Sequence, residues 1–302
     1  MIPRSSPKTA AEGARPSKVK YSRGAVAVVV VALWLGGIAM MLRRNANRSE
    51  GQQLTEVALR VQPATFYYLV ERDGEQIGAA SSALDTTVNT LISEEYFVGD
   101  YPSPAGVERT SARWQTRLTR GFRLADLTID IARTTRPFSI NAAVEEDTSL
   151  FIAGTKTTGG HPPARYTFTP PLFTPSLAPV AFMLSGPPKI GRKQTMSVFD
   201  PTTRIVVRPE LKIQAESLFT VVDSAVPNAQ GQWEVAHRDT VRAWRIDDSS
   251  RGLSTWVDAE GRLVASQLGN LSTVRTAFEI AFKNVKAGGD TVRRQRLKSK
   301  TK

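Results

Sequence analysis

The chain has 302 residues, enough for one large domain or two small ones, with an ordinary apolar share and no cysteine. Without cysteine there is no disulfide framework, no thiolate nucleophile and no zinc–thiolate site. The net charge of +12 divides unevenly: residues 1–48 hold nine bases and one acid, 283–302 hold eight and one, and the remainder holds 23 bases against 26 acids. The basic excess belongs to two tails around a near-neutral middle, so nucleic acid is not expected as a partner.

Residues 1–23, rich in Pro, Ser and Lys, read as a disordered basic cytoplasmic tail. Residues 24–42 carry no charge. As a helix they span roughly 28 Å, close to the hydrocarbon thickness of a bilayer. A cleaved signal peptide would have a shorter apolar region followed by a small-x-small site. Here Arg43-Arg44 follows directly, and Gly37-Ile38-Ala39 lies inside the apolar run, which favours an uncleaved transmembrane helix. Six bases precede it and three follow, so the expected N-terminus is cytoplasmic and the rest of the chain extracytoplasmic, in the inner membrane. Residues 43–58 read as a tether, 59–287 as a β-rich domain, and 288–302 as a disordered basic tail.

Beyond the tether the dominant period is two. Phe66–Arg72 and Glu75–Gly78 flank Asp73-Gly74, a strong hairpin signal. Leu127, Ile129 and Ile131 alternate with polar residues, as do Ile205, Val207, Leu211 and Ile213. Such alternation predicts strands with one buried and one wet face, hence antiparallel pairing. Breakers crowd residues 154–188, predicting a long loop or a crossover between two halves of a sheet. Within it a short helix is expected over 177–185, with Ser176 as N-cap and Gly186-Pro187-Pro188 as stop. Trp256–Val264 reads as another hairpin. Leu271, Val274, Phe278, Ala281, Phe282 and Val285 form a stripe at helical spacing, capped by Asn270 and ended by Gly288-Gly289. The fold class is therefore mainly β: a transmembrane helix, then a large antiparallel curved sheet or partial barrel with two short helices.

Catalytic candidates are few. His161 and His237 stand far apart, without a partner motif, and read as a solvated loop residue and a sheet-surface residue. No nucleophile elbow and no phosphate-binding loop occurs. Glu145-Glu146-Asp147 and Asp247-Asp248 are read as solvated turns rather than paired catalytic or calcium-binding carboxylates. Arg242, Arg245 and Arg251 near Trp244 suit either an anionic head group or, more plainly, cross-strand pairing. No catalytic residue, metal or cofactor is expected.

Several features occur in a familiar order: Ile77-Gly78 after the first hairpin, a Pro-rich stretch with a short helix over 171–185, Phe199-Asp200-Pro201-Thr202, and Thr255-Trp256-Val257-Asp258-Ala259-Glu260-Gly261-Arg262-Leu263-Val264. Over residues 65–285 this order resembles the DUF3108-like group and the β-rich envelope domains found ahead of bacterial transglutaminase-like domains. The resemblance implies an envelope location and an open antiparallel sheet or partial barrel. It supplies no catalytic residues, and the chain lacks the cysteine that a transglutaminase needs.

The expected function is that of a membrane-anchored, non-enzymatic envelope protein whose β-domain binds an apolar or lipid ligand or a protein partner. A scaffold subunit of a membrane complex and a hydrolase with an unrecognised site stand as alternatives. The expected ligand contacts are Leu172, Phe173, Val180, Phe182, Met183 and Leu184, in a stretch whose four prolines keep it from becoming a central strand. That stretch is either a movable flap over the sheet or a fixed structural crossover.

Overall fold

The computed structural model describes residues 63–283 and 285, except 88, 104–105, 134–136 and 155–161. The expected cytoplasmic tail, membrane helix, tether and basic C-terminal tail lie outside the described residues, as does His161. Among the described residues, no helix is long and apolar enough to cross a membrane.

The first half is a meander of β1 (Ala64–Arg72), β2 (Glu75–Thr86), β3 (Thr90–Ser103), β4 (Gly106–Thr119), β5 (Leu124–Arg133), β6 (Phe138–Glu145), β7 (Ser149–Ile152) and β8 (Ala164–Thr167). Then come β9 (Leu172–Phe173), helix α1 (Leu177–Leu184), β10 (Lys193–Thr195), β11 (Ser197–Asp200) and β12 (Ile205–Val207). A second meander follows: β13 (Glu210–Pro227), β14 (Trp233–Asp248), β15 (Leu253–Asp258), β16 (Leu263–Leu268) and β17 (Leu271–Thr276), closed by helix α2 (Phe278–Phe282).

The two meanders form one 14-stranded sheet because β17 pairs with β1, placing the first and last strands side by side in its middle. Every neighbouring pair in this sheet is antiparallel, and its edge strands, β8 and β10, do not pair with each other, so the sheet is open. Residues 168–192 carry the chain from one edge to the other. The crossover expected from the breakers is this segment. It contributes β9, an edge strand of a separate three-stranded sheet with β11 and β12.

The first hairpin forms where Asp73-Gly74 predicts it. Both turn residues have positive φ, 52° and 84°, as a type I′ turn requires. The expected strand over Leu127–Ile131 and the hairpin over Trp256–Val264 also form. Two expectations need correction. The alternation from Ile205 to Ile213 is not one strand: the break at Arg208-Pro209 sends Ile205 to the small sheet, where it is 44% exposed, while Leu211 and Ile213 enter the large sheet and are buried. Residues 271–276 are not helical. Ser272, Thr273, Val274 and Thr276 suit a pleated strand, and pairing to both β16 and β1 satisfies the backbone on two sides. Only Phe278–Phe282 is helix, with the Phe278 and Phe282 rings stacked 4.9 Å apart and Tyr67 edge-on at 5.1 Å.

The main core lies on one face of the sheet. It joins Leu91, Leu118, Leu127, Ile129, Ile140 and Ile152 of the first meander to Leu211, Ile213, Trp244, Ile246 and Val257 of the second. Phe173, Phe182 and Phe199, each 0% exposed, stand between them. Strands remote in the order thus share one core, so the sheet bends around the crossover segment. Burying these three rings stabilises the fold by roughly 1.5–3 kcal/mol each. A small second cluster, Val221, Val241, Ala243 and Val264, packs with Phe219 and Trp256.

Candidate functional site: a polar row across the inner face

Register identifies the face. Because side chains alternate, each core-facing residue marks its direct partners as core-facing too. From Leu91 on β3, the inner positions of that strand run through Ser93, Glu95 and Phe97. On β2 they are Ala80, Ser82 and Leu84; on β1 they are Phe66, Tyr68 and buried Val70; on β17 they are Thr273 and Arg275. Ser266 and Thr255 continue the row toward Ile246 of the core. The main core takes no buried residue from β16, β17, β1 or β2. There the inner face mixes hydroxyls and a guanidinium with the apolar side chains of Phe66, Val70, Ala80 and Leu84.

These groups find one another. The Tyr68 hydroxyl shares a hydrogen bond of 2.8 Å with Ser82, and Ser266 shares one of 2.7 Å with Thr273. Ser176 donates to the Glu95 carboxylate at 2.5 Å and lies 3.2 Å from the hydroxyl of buried Thr174. Ser176 therefore precedes α1 as expected, but its side chain does not cap the helix. Its hydroxyl fastens the start of α1 to β3. The far end of α1 meets the β15–β16 turn, where a Cβ on Gly261 would fall 2.9 Å from Leu184. In strand order, β2, β1, β17 and β16 lie between these two attachment points.

Burial governs the electrostatics. It pushes the Tyr68 phenol up, so the hydroxyl stays protonated, although the Ser82 hydrogen bond and nearby Arg275 pull the other way. Glu95 is half-buried as a residue, with its carboxyl turned under Ser176. Burial raises its pKa, and the Ser176 hydrogen bond offsets part of the rise. Arg275, with a side chain 11% exposed, is lowered by burial, against the pull of Asp258. Its guanidinium lies over the Phe66 ring, 5.1 Å from the centroid.

Of the expected ligand contacts, Leu172, Phe173, Phe182 and Met183 are fully buried core residues, and Val180 and Leu184 are half-buried. The end of α1 is held by Arg192, which donates to the carbonyls of Phe182 and Pro187 and lies over the Phe182 ring at 4.3 Å. Ser185 adds a hydrogen bond to Phe182 O at 2.8 Å.

The other candidates are dispersed. His237 is exposed on β14 and lies 3.7 Å from Asp223. Arg242 pairs across strands with Glu216 at 3.4 Å, and Arg245 pairs along its own strand with Asp247 at 3.2 Å. Glu145 pairs with Arg165 at 2.7 Å. Glu146 and Asp147 sit exposed in a turn, both with positive φ. Asp248 departs from the expected solvated turn: it is 3% exposed, accepts from Ser250 N–H and Oγ, and pairs with Arg251. Among the described residues no group of three or more His, Asp or Glu is placed to hold a metal ion.

The polar row was missed in the sequence, yet it left a trace there. Gly78-Ala79-Ala80-Ser81-Ser82-Ala83 is a strand made of small, poor β formers. Gly78 and Gly99 are direct partners, and a Cβ on either would come within 2.5 Å of a backbone carbonyl. The Phe97 ring lies against the pair, supplying the contact that the glycines lack.

No family model matches the chain. No curated protein matches it. Among solved structures, a β-barrel-like protein with the domain of unknown function DUF1849 from Brucella abortus aligns over 71% of this chain and 94% of its own, with TM-score 0.47 and 12% identity. A DUF1089 family protein from Pseudomonas aeruginosa aligns over 61% and 87%, with TM-score 0.35 and 6% identity.

Proposed function

We propose that the protein is a membrane-anchored, non-enzymatic envelope protein whose bent β-sheet, in effect a partial barrel, holds a lipid-like amphiphile. The observation that carries this reading is the division of the inner face. One part is a dry apolar core around α1, and the other, across β16, β17, β1 and β2, is lined by Ser266, Thr273, Arg275, Tyr68 and Ser82. The hydroxyl pairs offset their own desolvation, but turning a cation toward the interior carries a cost that they do not offset. An amphiphile suits such a surface, its chain against the apolar margin and its head at the polar row. Val180 and Leu184, the half-buried members of the expected contact set, are the side chains of α1 available to that chain. The anchor at 24–42, with the bilayer as its partner, and the kinship with the DUF3108-like group are part of the proposal and rest on the sequence.

Mass spectrometry of the full chain purified in mild detergent tests it. A lipid retained in near-stoichiometric amount is the expected result, and a preparation that retains no lipid beside the detergent overturns the reading. The scaffold alternative draws on a different observation. Beyond Arg242 the β13–β14 hairpin pairs only with itself, and it exposes Val226, Trp233 and Val235. Copurification of a protein without lipid would favour that role.

A further inference from the structure

The amphiphile reading leaves the head group open, and Arg275 narrows it. We propose that the ligand is an acidic amphiphile, an acyl chain ending in a carboxylate or phosphate, and that Arg275 on the inner face is the residue that binds its head. This rests on the reading of the domain as an amphiphile binder.

Among the described residues, Arg275 has one carboxylate in ion-pair range, that of Asp258, and only at the long end of that range. The guanidinium Nη1 is buried and has no hydrogen-bond partner among the described residues. The nearest carboxylate oxygen, Asp258 Oδ2, is 3.9 Å away and already accepts from Arg262 Nε at 2.6 Å. Asp258 Oδ1 accepts the backbone N–H groups of Glu260 and Arg262. Asp258 is therefore the cap of the β15–β16 turn and the partner of Arg262, and it reaches Arg275 only at a distance. Glu260 pairs with Arg262 at 2.7 Å and is exposed, and Asp239 acts on Arg275 only through space.

A guanidinium keeps its charge at any physiological pH, so burial leaves it a donor in need of an acceptor. A carboxylate or phosphate accepts two parallel N–H bonds from such a fork, which a neutral ester or alcohol does not. The neighbours fit an anion. Tyr68 stands directly across from Arg275, and the Tyr68–Ser82 pair keeps two protonated hydroxyls beside it. Glu95, the acid farther along the row, is biased by burial toward its neutral form, which lessens repulsion of an incoming anion. Phe66, under the guanidinium, is half-buried and gives the first methylenes of a chain an apolar contact.

Equilibrium binding of palmitate and of hexadecanol to the full chain in mild detergent tests this. The two probes share a chain and differ in head charge. The natural protein is expected to prefer palmitate by about tenfold or more, the scale of a charge-assisted bidentate contact. Arg275→Gln should abolish the preference by weakening palmitate far more than hexadecanol, and Arg275→Lys should restore part of it. If Arg275→Gln does not fold, Tyr68→Phe serves instead and should weaken palmitate severalfold and hexadecanol less, narrowing the preference. Equal binding of the two probes, or a preference that survives Arg275→Gln, overturns the head-group assignment while the amphiphile reading stands. Binding of neither probe overturns both.

Discussion

Around α1 the inner face is carried by Leu118, Leu127, Ile129, Ile140 and Ile152, none more than 2% exposed. Across β16, β17, β1 and β2 the same face carries Ser266, Thr273, Arg275, Tyr68 and Ser82. One sheet thus presents two surfaces with different tasks. The first is close-packed against α1, β9 and β11 and supplies most of the stability. The second is more polar and joined by hydroxyl pairs, so it adds less hydrophobic stabilisation while offering directed donors and acceptors. The difference teaches where to look for function: at the stretch of interior that the core does not claim.

Breaking the apolar region should have the largest effect. Phe182 is 0% exposed, and its carbonyl receives both Arg192 and Ser185. Phe182→Ala is expected to lower stability by about 3–5 kcal/mol, read as a fall in the urea midpoint. Amide exchange over 172–184 should be as slow as in β5 and β13, since Ser176 and Arg192 hold the segment at both ends. Fast exchange there, with a small loss for Phe182→Ala, would instead mark a movable flap.

A middling effect is expected where the small-residue strand meets β3. A methyl group on Gly78 would lie 2.5 Å from Val98 O and 2.8 Å from Gly99 Cα, both backbone atoms that cannot swing away. Gly78→Ala should cost about 1–3 kcal/mol, as overpacking does. Ala80→Ser, two residues along the same face, should change stability by less than about 0.5 kcal/mol. Equal losses at the two positions would mean that the close approach of β2 and β3 is not what selects glycine.

The apolar region was far more legible than the polar one. Period-two runs such as Leu127–Ile131 announce their buried face directly, and Asp73-Gly74 announces its turn. The short helix over 177–184 followed from its flanking prolines and glycine. Period failed at 271–285, where a strand and a one-turn helix in series imitate a single helical stripe. It failed again at Pro209, because alternation runs on across a break that sends the two halves to different sheets. The polar row was not legible because it is a property of register. Arg275, Tyr68, Ser82 and Glu95 come from four strands, and only pairing brings them onto one line. Within any one strand, a Ser or Arg in an alternating run looks like the wet face.

The smallest effect at any single pH, and the most specific to the polar row, concerns Glu95. Burial raises its folded-state pKa above the unfolded value, with the Ser176 hydrogen bond opposing the rise. The folded protein therefore holds this proton more tightly than the unfolded chain does. That contribution to stability is fully present below the unfolded carboxylate pKa and is lost as pH rises through the raised folded one. Glu95→Gln keeps an oxygen acceptor for Ser176 and removes the ionisation. The variant should therefore melt higher than the natural protein at pH 7, with the difference shrinking toward pH 4, where the natural carboxyl is protonated too. Thermal midpoints of both proteins between pH 4 and pH 8 check this. A gap that widens toward low pH would give Glu95 the opposite sign, as a carboxylate stabilised in its charged form by Arg275. The polar row would then be an internal ion-pair network, with Arg275 already satisfied and no head group required.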